Sequence, residues 1–191
     1  MLLVFKSIKI QSKGVNIGSS IEPIDEYFLR QKELMFKLKD LNIEYSFPKK
    51  HIETLNVYDK NYNFIVKNFK NCFGKKFYEK ISRYNLIINS DNSTPFLETM
   101  FYKVPNILVI NNKYNDCCQF SKNFYEPLIQ NNIIYFSNNK AVNFLNKIIK
   151  SNGINEWWSD RKVQYSVNKF NENYVKFNES LIKELKNNIS N

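Results

Sequence analysis

The chain has 191 residues and a formal net charge of +10, from 28 lysines and arginines against 18 acidic residues. A hydrophobic fraction of 43% excludes an intrinsically disordered chain, and only 4 glycines and 5 prolines exclude a collagen-like or linker composition. No apolar run approaches the roughly 18 residues that a membrane span needs. In residues 1–11, lysine interrupts the apolar stretch too early for a secretory signal. We therefore expect a folded cytoplasmic protein, with a position at the inner face of the membrane left open.

The positive charge admits several partners: nucleic acid, an anionic membrane surface or a phosphorylated ligand. The lysines are dispersed along the chain, and Asn, Lys, Ile, Phe and Tyr, which AT-rich codons favour, are abundant. Codon composition is therefore an alternative source of the charge. No helix-turn-helix, zinc or RNA-recognition signature is present, so nucleic acid is not the expected partner.

The three cysteines, Cys72, Cys117 and Cys118, show no metal-binding spacing, and adjacent cysteines rarely bridge without strain. We expect all three to be reduced thiols, as in cytosolic proteins. The single histidine, His51, excludes a histidine-rich metal site.

The first half of the sequence alternates short apolar runs with amphipathic stretches. Residues 23–42 are the clearest helix, because Asp25 and Glu26 suit the positive end of a helix dipole and an apolar stripe that includes Leu29 follows them. The other predicted elements are a strand at 2–10, a loop at 11–20, a short strand at 43–52 broken by Pro48, and one or two helices across 58–84 with a turn at Gly74.

The second half continues this alternation. It predicts a strand at 85–90, a helix at 94–103, a strand at 105–110, a helix at 118–132, a strand at 133–137, and a helix at 139–153 that ends at Gly153. Strands that alternate with helices indicate a parallel sheet covered on both faces. We predict the α/β class: a single Rossmann-like three-layer domain over residues 1–153, with a long C-terminal helical extension, 154–191, that packs back on it.

The stretch INSDNSTPFLETM (88–100) places small polar residues between a predicted strand and a predicted helix. In open α/β sheets, ligands bind beyond the carboxyl ends of the strands, where helix N-termini point. Ser93 or Thr94 is the predicted N-cap, Pro95 then falls at the first helical position, and Glu98 has a spacing that allows a capping-box contact. Such a helix start can bind phosphate through its backbone N–H groups, but the same pattern also occurs as an ordinary cap.

Four segments, taken in order, carry a family resemblance. They are DEYFLRQKEL (25–34), SDNSTPFLETMFYKVPNILVI (90–110), FYEPLIQNNIIYFSNNKAVNFLNKI (124–148) and NEWWSDRKVQYSVNKFNENY (155–174). Together they resemble a bacterial family of transferases linked to surface-carbohydrate assembly, with glycosyltransferase-B architecture. A more distant likeness is to the teichoic-acid glycerophosphotransferases.

The resemblance implies that the chain is the C-terminal, nucleotide-sugar-binding half of such a transferase. Asn92, Ser93 and Thr94 would contact the donor phosphates, Asp91 opens the same motif, and Glu98 would bind the ribose or hold the loop. The implied partners are a nucleotide-activated sugar or polyol donor and a glycan or lipid-linked acceptor. No metal or other cofactor is implied, because a helix N-terminus and basic residues would neutralise the leaving diphosphate.

The chain begins about where the C-terminal half of such an enzyme would begin. We therefore expect the acceptor-binding N-terminal half to be supplied by another domain, or its role to be filled by a homo-oligomer. A catalytically incomplete nucleotide-binding or interaction module is the alternative function, and a basic nucleic-acid-binding protein is a less favoured one.

Four further residues are secondary site candidates. His51 is the one candidate catalytic residue, although a surface histidine without a role is the commoner case. Lys49 could reach a phosphate as a point charge, although solvated lysines are more frequent. Asn111 and Tyr114 follow the predicted strand at 105–110 and could line the same crevice.

Three conspicuous side chains are expected to be structural. Arg30 lies within the first predicted helix, where a surface position is the usual one for arginine. Trp157 and Trp158 open the C-terminal segment, and we expect them to pack that segment against the domain rather than to stack on a base.

Overall fold

The computed structural model describes residues 1–4, 9–11, 14–16, 22–41, 43–46, 60–71, 81, 83–111 and 119–174, and the three cysteines lie outside these ranges. The strands within them are β1 (Leu2–Val4), β2 (Lys9–Gln11), β3 (Gly14–Asn16), β4 (Glu44–Ser46), β5 (Lys70–Asn71), β6 (Ile87–Asn89), β7 (Asn106–Val109) and β8 (Ile134–Tyr135). The α-helices are α1 (Ile24–Lys37), α2 (Lys60–Asn68), α3 (Thr94–Phe101), α4 (Gln119–Gln130), α5 (Asn138–Lys150), α6 (Ile154–Ser159) and α7 (Arg161–Tyr174).

Six of the strands form one sheet in the order β5-β4-β1-β6-β7-β8, and every neighbouring pair is parallel. The chain builds outward from β1 to one edge of the sheet and then returns to the other side of β1. The strand order therefore reverses between β1 and β6, where Leu3 lies opposite Ile88. This is the doubly wound Rossmann order, and it confirms the predicted α/β class.

Helices cover both faces of the sheet, which gives three layers. On one face, Leu3 and Ile88 pack against α1, α2 and α5. On the other face, Leu108 and Ile134 pack against α3, α4 and α7, with Phe170 of α7 fully buried there. Each such buried apolar side chain contributes about 1.5–3 kcal/mol to stability. The near-continuous apolar strands in the sequence reflect this burial on both faces.

Two predictions about the strands were wrong in detail. Of the described residues in the predicted strand at 2–10, Leu2–Val4 lies in the main sheet, whereas Lys9–Gln11 pairs antiparallel with Gly14–Asn16 inside the predicted loop. An alternating pattern cannot show where a chain leaves one sheet for another. Lys70–Asn71 lies in a segment predicted as helix, but its pairing with Glu44 and Tyr45 makes it one of the two edge strands of the sheet.

The connection between α5 and α6 differs from the predicted end at Gly153. The residue with a left-handed conformation is Asn152, with φ of 53°, whereas Gly153 has φ of −92° and starts α6. The Gly153 N–H donates to the Ile148 carbonyl at 2.7 Å, which closes the end of α5. Asparagine tolerates the left-handed region, so it replaces glycine at this position.

The predicted C-terminal helix is divided at Asp160. The Asp160 carboxylate accepts a hydrogen bond from the Lys162 backbone N–H at 2.7 Å and so starts α7 as a new helix. Trp158 is buried, and its indole N–H donates to the Lys103 carbonyl at 2.8 Å, while that of Trp157 donates to the Asn131 carbonyl at 3.2 Å. Both indoles therefore fasten α6 to the sheet domain, and the division between 1–153 and 154–191 stays a prediction.

Within the described ranges, no helix has both the length and the apolar character that crossing a lipid bilayer requires.

Candidate functional site

The carboxyl ends of β1 and β6 lie side by side where the strand order reverses. A short loop, 90–93, follows β6 and leads directly into α3. In doubly wound sheets the crevice at this reversal is the usual ligand-binding position, because the loops on its two sides diverge to opposite faces. The polar stretch identified in the sequence therefore lies at the topological switch point.

Ser90 fixes the start of this loop. Its backbone N–H and its hydroxyl both donate to the Val4 carbonyl, at 3.2 Å and 2.8 Å, so the ends of β6 and β1 are joined. The Tyr27 hydroxyl from α1 lies 2.6 Å from the Ser90 hydroxyl oxygen. Because the Ser90 proton is directed to Val4, the Tyr27 O–H is the donor. All three groups are buried, so each hydrogen bond avoids an unpaired polar group in the interior.

Arg30 ties together the ends of β6 and β7. Its guanidinium forms an ion pair with Glu22 at 2.8 Å, and the side chains are only 13% and 5% exposed. It also donates to the Val109 carbonyl at 2.9 Å and to the Ser90 carbonyl at 3.5 Å. The expectation of a surface arginine was wrong, because α1 faces the sheet edge at this position. A planar group with five N–H donors suits this convergence of acceptors.

Two asparagines extend this network across the sheet edge. The Asn111 amide, just after β7, donates to the Glu22 carboxylate at 3.4 Å. The Asn138 amide, at the start of α5, donates to the Arg30 carbonyl at 2.9 Å. Glu22 and Arg30 thus form the centre of a network that reaches from β6 to the helix after β8.

The loop residues that follow Ser90 are more exposed to solvent than the network around Arg30 and Glu22. The Asn92 amide donates to the buried Tyr125 hydroxyl at 2.6 Å, which anchors the loop to α4. Ser93 is the N-cap of α3 in an extended conformation, but its side chain makes no capping hydrogen bond. Thr94 is exposed. Among the described residues, neither the Ser93 nor the Thr94 hydroxyl has a hydrogen-bond partner, so both are available to a ligand.

The capping geometry corrects one prediction. Because Ser93 is the N-cap, Pro95 occupies the second helical position rather than the first, and Phe96 occupies the third. A capping box needs its acidic residue at the third position, so Glu98 is too far along the helix to form one. The Ser93 carbonyl instead accepts hydrogen bonds from the Phe96 and Leu97 N–H groups, at 2.9 Å and 3.2 Å.

Glu98 is a half-buried carboxylate for which no hydrogen-bond or ionic partner is found in the described part of the chain. Its burial removes water from the carboxylate and raises the pKa of Glu98 above the usual range. A carboxylate that is partly desolvated and has no protein partner can accept hydrogen bonds from ligand hydroxyls. The predicted ribose contact is compatible with this state and stays a prediction.

Not all predicted site residues can be located. Asp91 lies on the same loop as Asn92, Ser93 and Thr94, and its carbonyl accepts from the Ser93 N–H at 3.1 Å. Asn111 lies at the end of the adjacent strand, as already described. The three remaining candidates lie outside the described residues: Lys49, His51 and Tyr114.

Sequence reasoning missed the inner network formed by Glu22, Tyr27, Arg30 and Ser90. One signal was present, because Tyr27, Arg30 and Leu34 recur at spacings of three and four and so share one helix face. Tyr27 and Leu34 are fully buried, which places Arg30 beside the core. No local sequence pattern shows that Arg30, paired with Glu22, reaches the Val109 and Ser90 carbonyls.

The described residues contain no group of three or more histidines, cysteines, aspartates or glutamates arranged to hold a metal ion.

The fold and this edge define an α/β protein of the doubly wound class with a polar loop at its switch point. A family model described as LIC12162 family transferase matches residues 23–189, which is most of the chain, and the protein belongs to this family. No curated protein and no solved structure gives a match to the chain.

Proposed function

We propose that this transferase binds a nucleotide-activated donor at the carboxyl edge of its sheet. It would be the donor-binding part of a glycosyltransferase-B-like enzyme that transfers a sugar or polyol phosphate to a surface-glycan precursor in the cytoplasm. The observation that carries the proposal is the loop at the switch point. There the Ser93 and Thr94 hydroxyls, at the N-terminus of α3, have no hydrogen-bond partner among the described residues.

The chemistry of this loop supports a phosphate ligand. A helix N-terminus has a partial positive charge that favours an anion. In α3 this charge is the main contribution of the backbone, because Pro95 has no N–H and the Phe96 N–H donates to the Ser93 carbonyl. The Ser93 and Thr94 hydroxyls can donate to phosphate oxygens, and Asn92 lies beside them. Two hydrogen bonds hold this loop to the domain, from the Ser90 hydroxyl to the Val4 carbonyl and from the Asn92 amide to the Tyr125 hydroxyl.

The proposed reaction is a displacement. An acceptor hydroxyl oxygen bonds to the transferred group, at carbon for a sugar or at phosphorus for a polyol phosphate, while the bond to the leaving nucleotide phosphate breaks. The acceptor loses its proton to a base, and negative charge develops on the leaving phosphate. The N-terminus of α3 stabilises this charge, which is an electrostatic contribution that needs no rearrangement during the reaction.

Isothermal calorimetry with CDP-, UDP-, GDP- and CMP-linked donors tests this proposal. We expect at least one donor to bind with better than millimolar affinity. Combined Ser93→Ala and Thr94→Ala substitutions should weaken that binding about tenfold, because the lost hydrogen bonds to phosphate are charge-assisted. Stability should change by less than about 0.5 kcal/mol, since neither hydroxyl has a partner among the described residues.

Ser159→Ala is the matched control, because Ser159 is exposed at the end of α6 and its hydroxyl donates only to the Glu156 carbonyl, at 3.2 Å. It should leave donor affinity unchanged. If no donor binds, or if the double variant binds as the unmodified protein does, the loop is not the donor site.

A further inference from the structure

A second cavity lies next to the loop, between α1 and the carboxyl ends of β7 and β8. Its volume is about 400 Å³, within the range of small-molecule sites. The polar side chains that line it come from α1, from the segment just after β7 and from the start of α5, and they are Glu26, Arg30, Glu33, Lys37, Asn111, Ser137, Asn138 and Asn139. We call it the α1 cavity.

The lining of the α1 cavity does not suit a phosphate. Glu26 and Glu33 bring two carboxylates to it, whereas the positive charge of Arg30 is already paired with Glu22. The other cation of the lining, Lys37, donates to the Asn139 side-chain oxygen. With Glu22 included, three carboxylates stand against two cations at the cavity, and this net negative charge disfavours an anion.

The same lining suits a neutral group with several hydroxyls. Ligand O–H groups can donate to the Glu33 carboxylate, and ligand oxygens can accept from the Ser137 hydroxyl. Glu33 has no hydrogen-bond or ionic partner among the described residues, so its carboxylate is available. Leu29 and Phe136 add apolar surface on which the C–H groups of a sugar ring can pack.

The α1 cavity and the loop share a wall. Arg30 lines the cavity and also donates to the carbonyls of Ser90 and Val109, at the ends of β6 and β7. Neighbouring strands lie about 5 Å apart, so the cavity at β7 and β8 is one to two strand spacings from the loop after β6. A group attached to a nucleotide through a phosphate linkage spans this distance.

We infer that the α1 cavity binds the neutral, polyhydroxylated group of the donor, the sugar or polyol, while the loop binds its phosphates. This inference rests on the proposed function for the identity of the phosphate partner. The donor would then occupy two subsites. The phosphate subsite presents hydroxyls at a helix N-terminus, and the sugar or polyol subsite presents carboxylates and amides.

The test compares bare nucleotides with their donors by calorimetry, using CDP against CDP-glycerol, UDP against UDP-glucose and GDP against GDP-mannose. Glu33→Gln should lower affinity for the matching donor about tenfold, because a hydrogen bond to a charged acceptor is lost. It should leave affinity for the bare nucleotide within about twofold. Ser93→Ala with Thr94→Ala should weaken both ligands alike. Glu172→Gln makes the same charge change at an exposed site on α7 and should alter neither.

A second measurement separates this inference from the proposed function. Saturation-transfer NMR with glucose, N-acetylglucosamine and glycerol probes the α1 cavity without a nucleotide, and Glu33→Gln should abolish the signal. Saccharide signals without any nucleotide binding would overturn the proposed function and leave the cavity as a polyol site. Equal loss of bare nucleotide and donor on Glu33→Gln, or no loss of either, would overturn the cavity assignment. The cavity assignment would also be overturned if donors bound no more tightly than bare nucleotides and if saturation-transfer NMR gave no saccharide signal.

Discussion

The amino edge of the sheet, where the parallel strands begin, and the carboxyl edge, where they end, differ in whether their polar groups are already paired. At the amino edge, a cavity of about 550 Å³ is lined by Glu44, Lys70 and Tyr84 among others. There Lys70 forms an ion pair with one carboxylate oxygen of Glu44 at 2.6 Å, and the Tyr84 hydroxyl donates to the other at 2.5 Å. At the carboxyl edge the cavity is smaller, but the Glu33 carboxylate that lines it and the Ser93 and Thr94 hydroxyls of the loop after β6 have no partner in the described part of the chain.

This difference shows that the volume of a cavity and the availability of its polar groups are separate properties. The larger cavity contains a carboxylate whose hydrogen bonds are already satisfied by the protein. The smaller one is lined by the Glu33 carboxylate, for which no partner is found among the described residues. Ligand binding needs such capacity, because a ligand must replace the hydrogen bonds that both surfaces make to water. At the carboxyl edge, a separate buried network around Arg30 and Ser90 holds the strand ends together. The Ser93 and Thr94 hydroxyls take no part in that network.

The largest predicted effect is on that buried network. Arg30→Met would leave the Glu22 carboxylate, 5% exposed, without the cation that pairs with it, and we expect a loss of about 3–5 kcal/mol in the free energy of unfolding. Urea denaturation followed by circular dichroism measures it. The double variant Arg30→Met with Glu22→Gln should lose less, because no charge is then buried unpaired. Arg161→Met, at an exposed position, is the control, and an equal loss there would remove the special role of Arg30.

The next effect comes from the joint between β1 and β6. Ser90→Ala removes the hydroxyl that links Val4 to Tyr27 and should cost about 1–2 kcal/mol, because the Tyr27 hydroxyl is left buried without its acceptor. Tyr27→Phe in the same background should then cost little more. Additive losses in this double-mutant cycle, measured by urea denaturation, would contradict a shared hydrogen-bond chain.

A smaller effect is expected at the amino edge. The hydrogen bond from Lys70, followed by that from Tyr84, lowers the pKa of Glu44. The carboxylate therefore stabilises the fold above the ordinary glutamate pKa, and this contribution is lost as the pH falls through the lowered value. Glu44→Gln should cost about 0.5–1 kcal/mol at neutral pH, because Lys70 is largely exposed and the ion pair is screened. The difference between variant and unmodified protein should vanish in acid, and a difference independent of pH would contradict this assignment.

The smallest effect has the opposite sign. Burial raises the pKa of Glu98, so its favourable contribution is present at low pH and is lost as the pH rises through the raised value. Glu98→Gln should therefore stabilise the protein at neutral pH by up to about 0.5 kcal/mol while weakening any ligand that donates hydrogen bonds to this carboxylate. Thermal unfolding at several pH values, with Glu156→Gln as an exposed control, measures the first part. Destabilisation at neutral pH would show that Glu98 has a protein partner.

Much of the fold could be predicted from the sequence, because apolar runs at 85–90 and 105–110 are long enough to be buried on both faces and are separated by helix signals. The location of the loop 90–93 followed from the same pattern. The edge strand at Lys70–Asn71 could not be predicted, since it depends on a partner strand at Glu44 and Tyr45, far away in the chain. The pairing of Gly14–Asn16 with Lys9–Gln11 is local, but its glycine and serine neighbours are typical of a loop. The break at Asp160 was signalled by a capping residue inside a helical pattern.

The sequence by itself determined which residues would lie at the carboxyl ends of the strands, because strand and helix signals are local. Only the tertiary structure decided that β6 lies beside β1, which makes the loop after β6 a switch point, and that Arg30 reaches two strand ends at once. Those relations join residues 60 and 79 positions apart along the chain. Packing and hydrogen bonds across the sheet establish them, and no local periodicity encodes such separations.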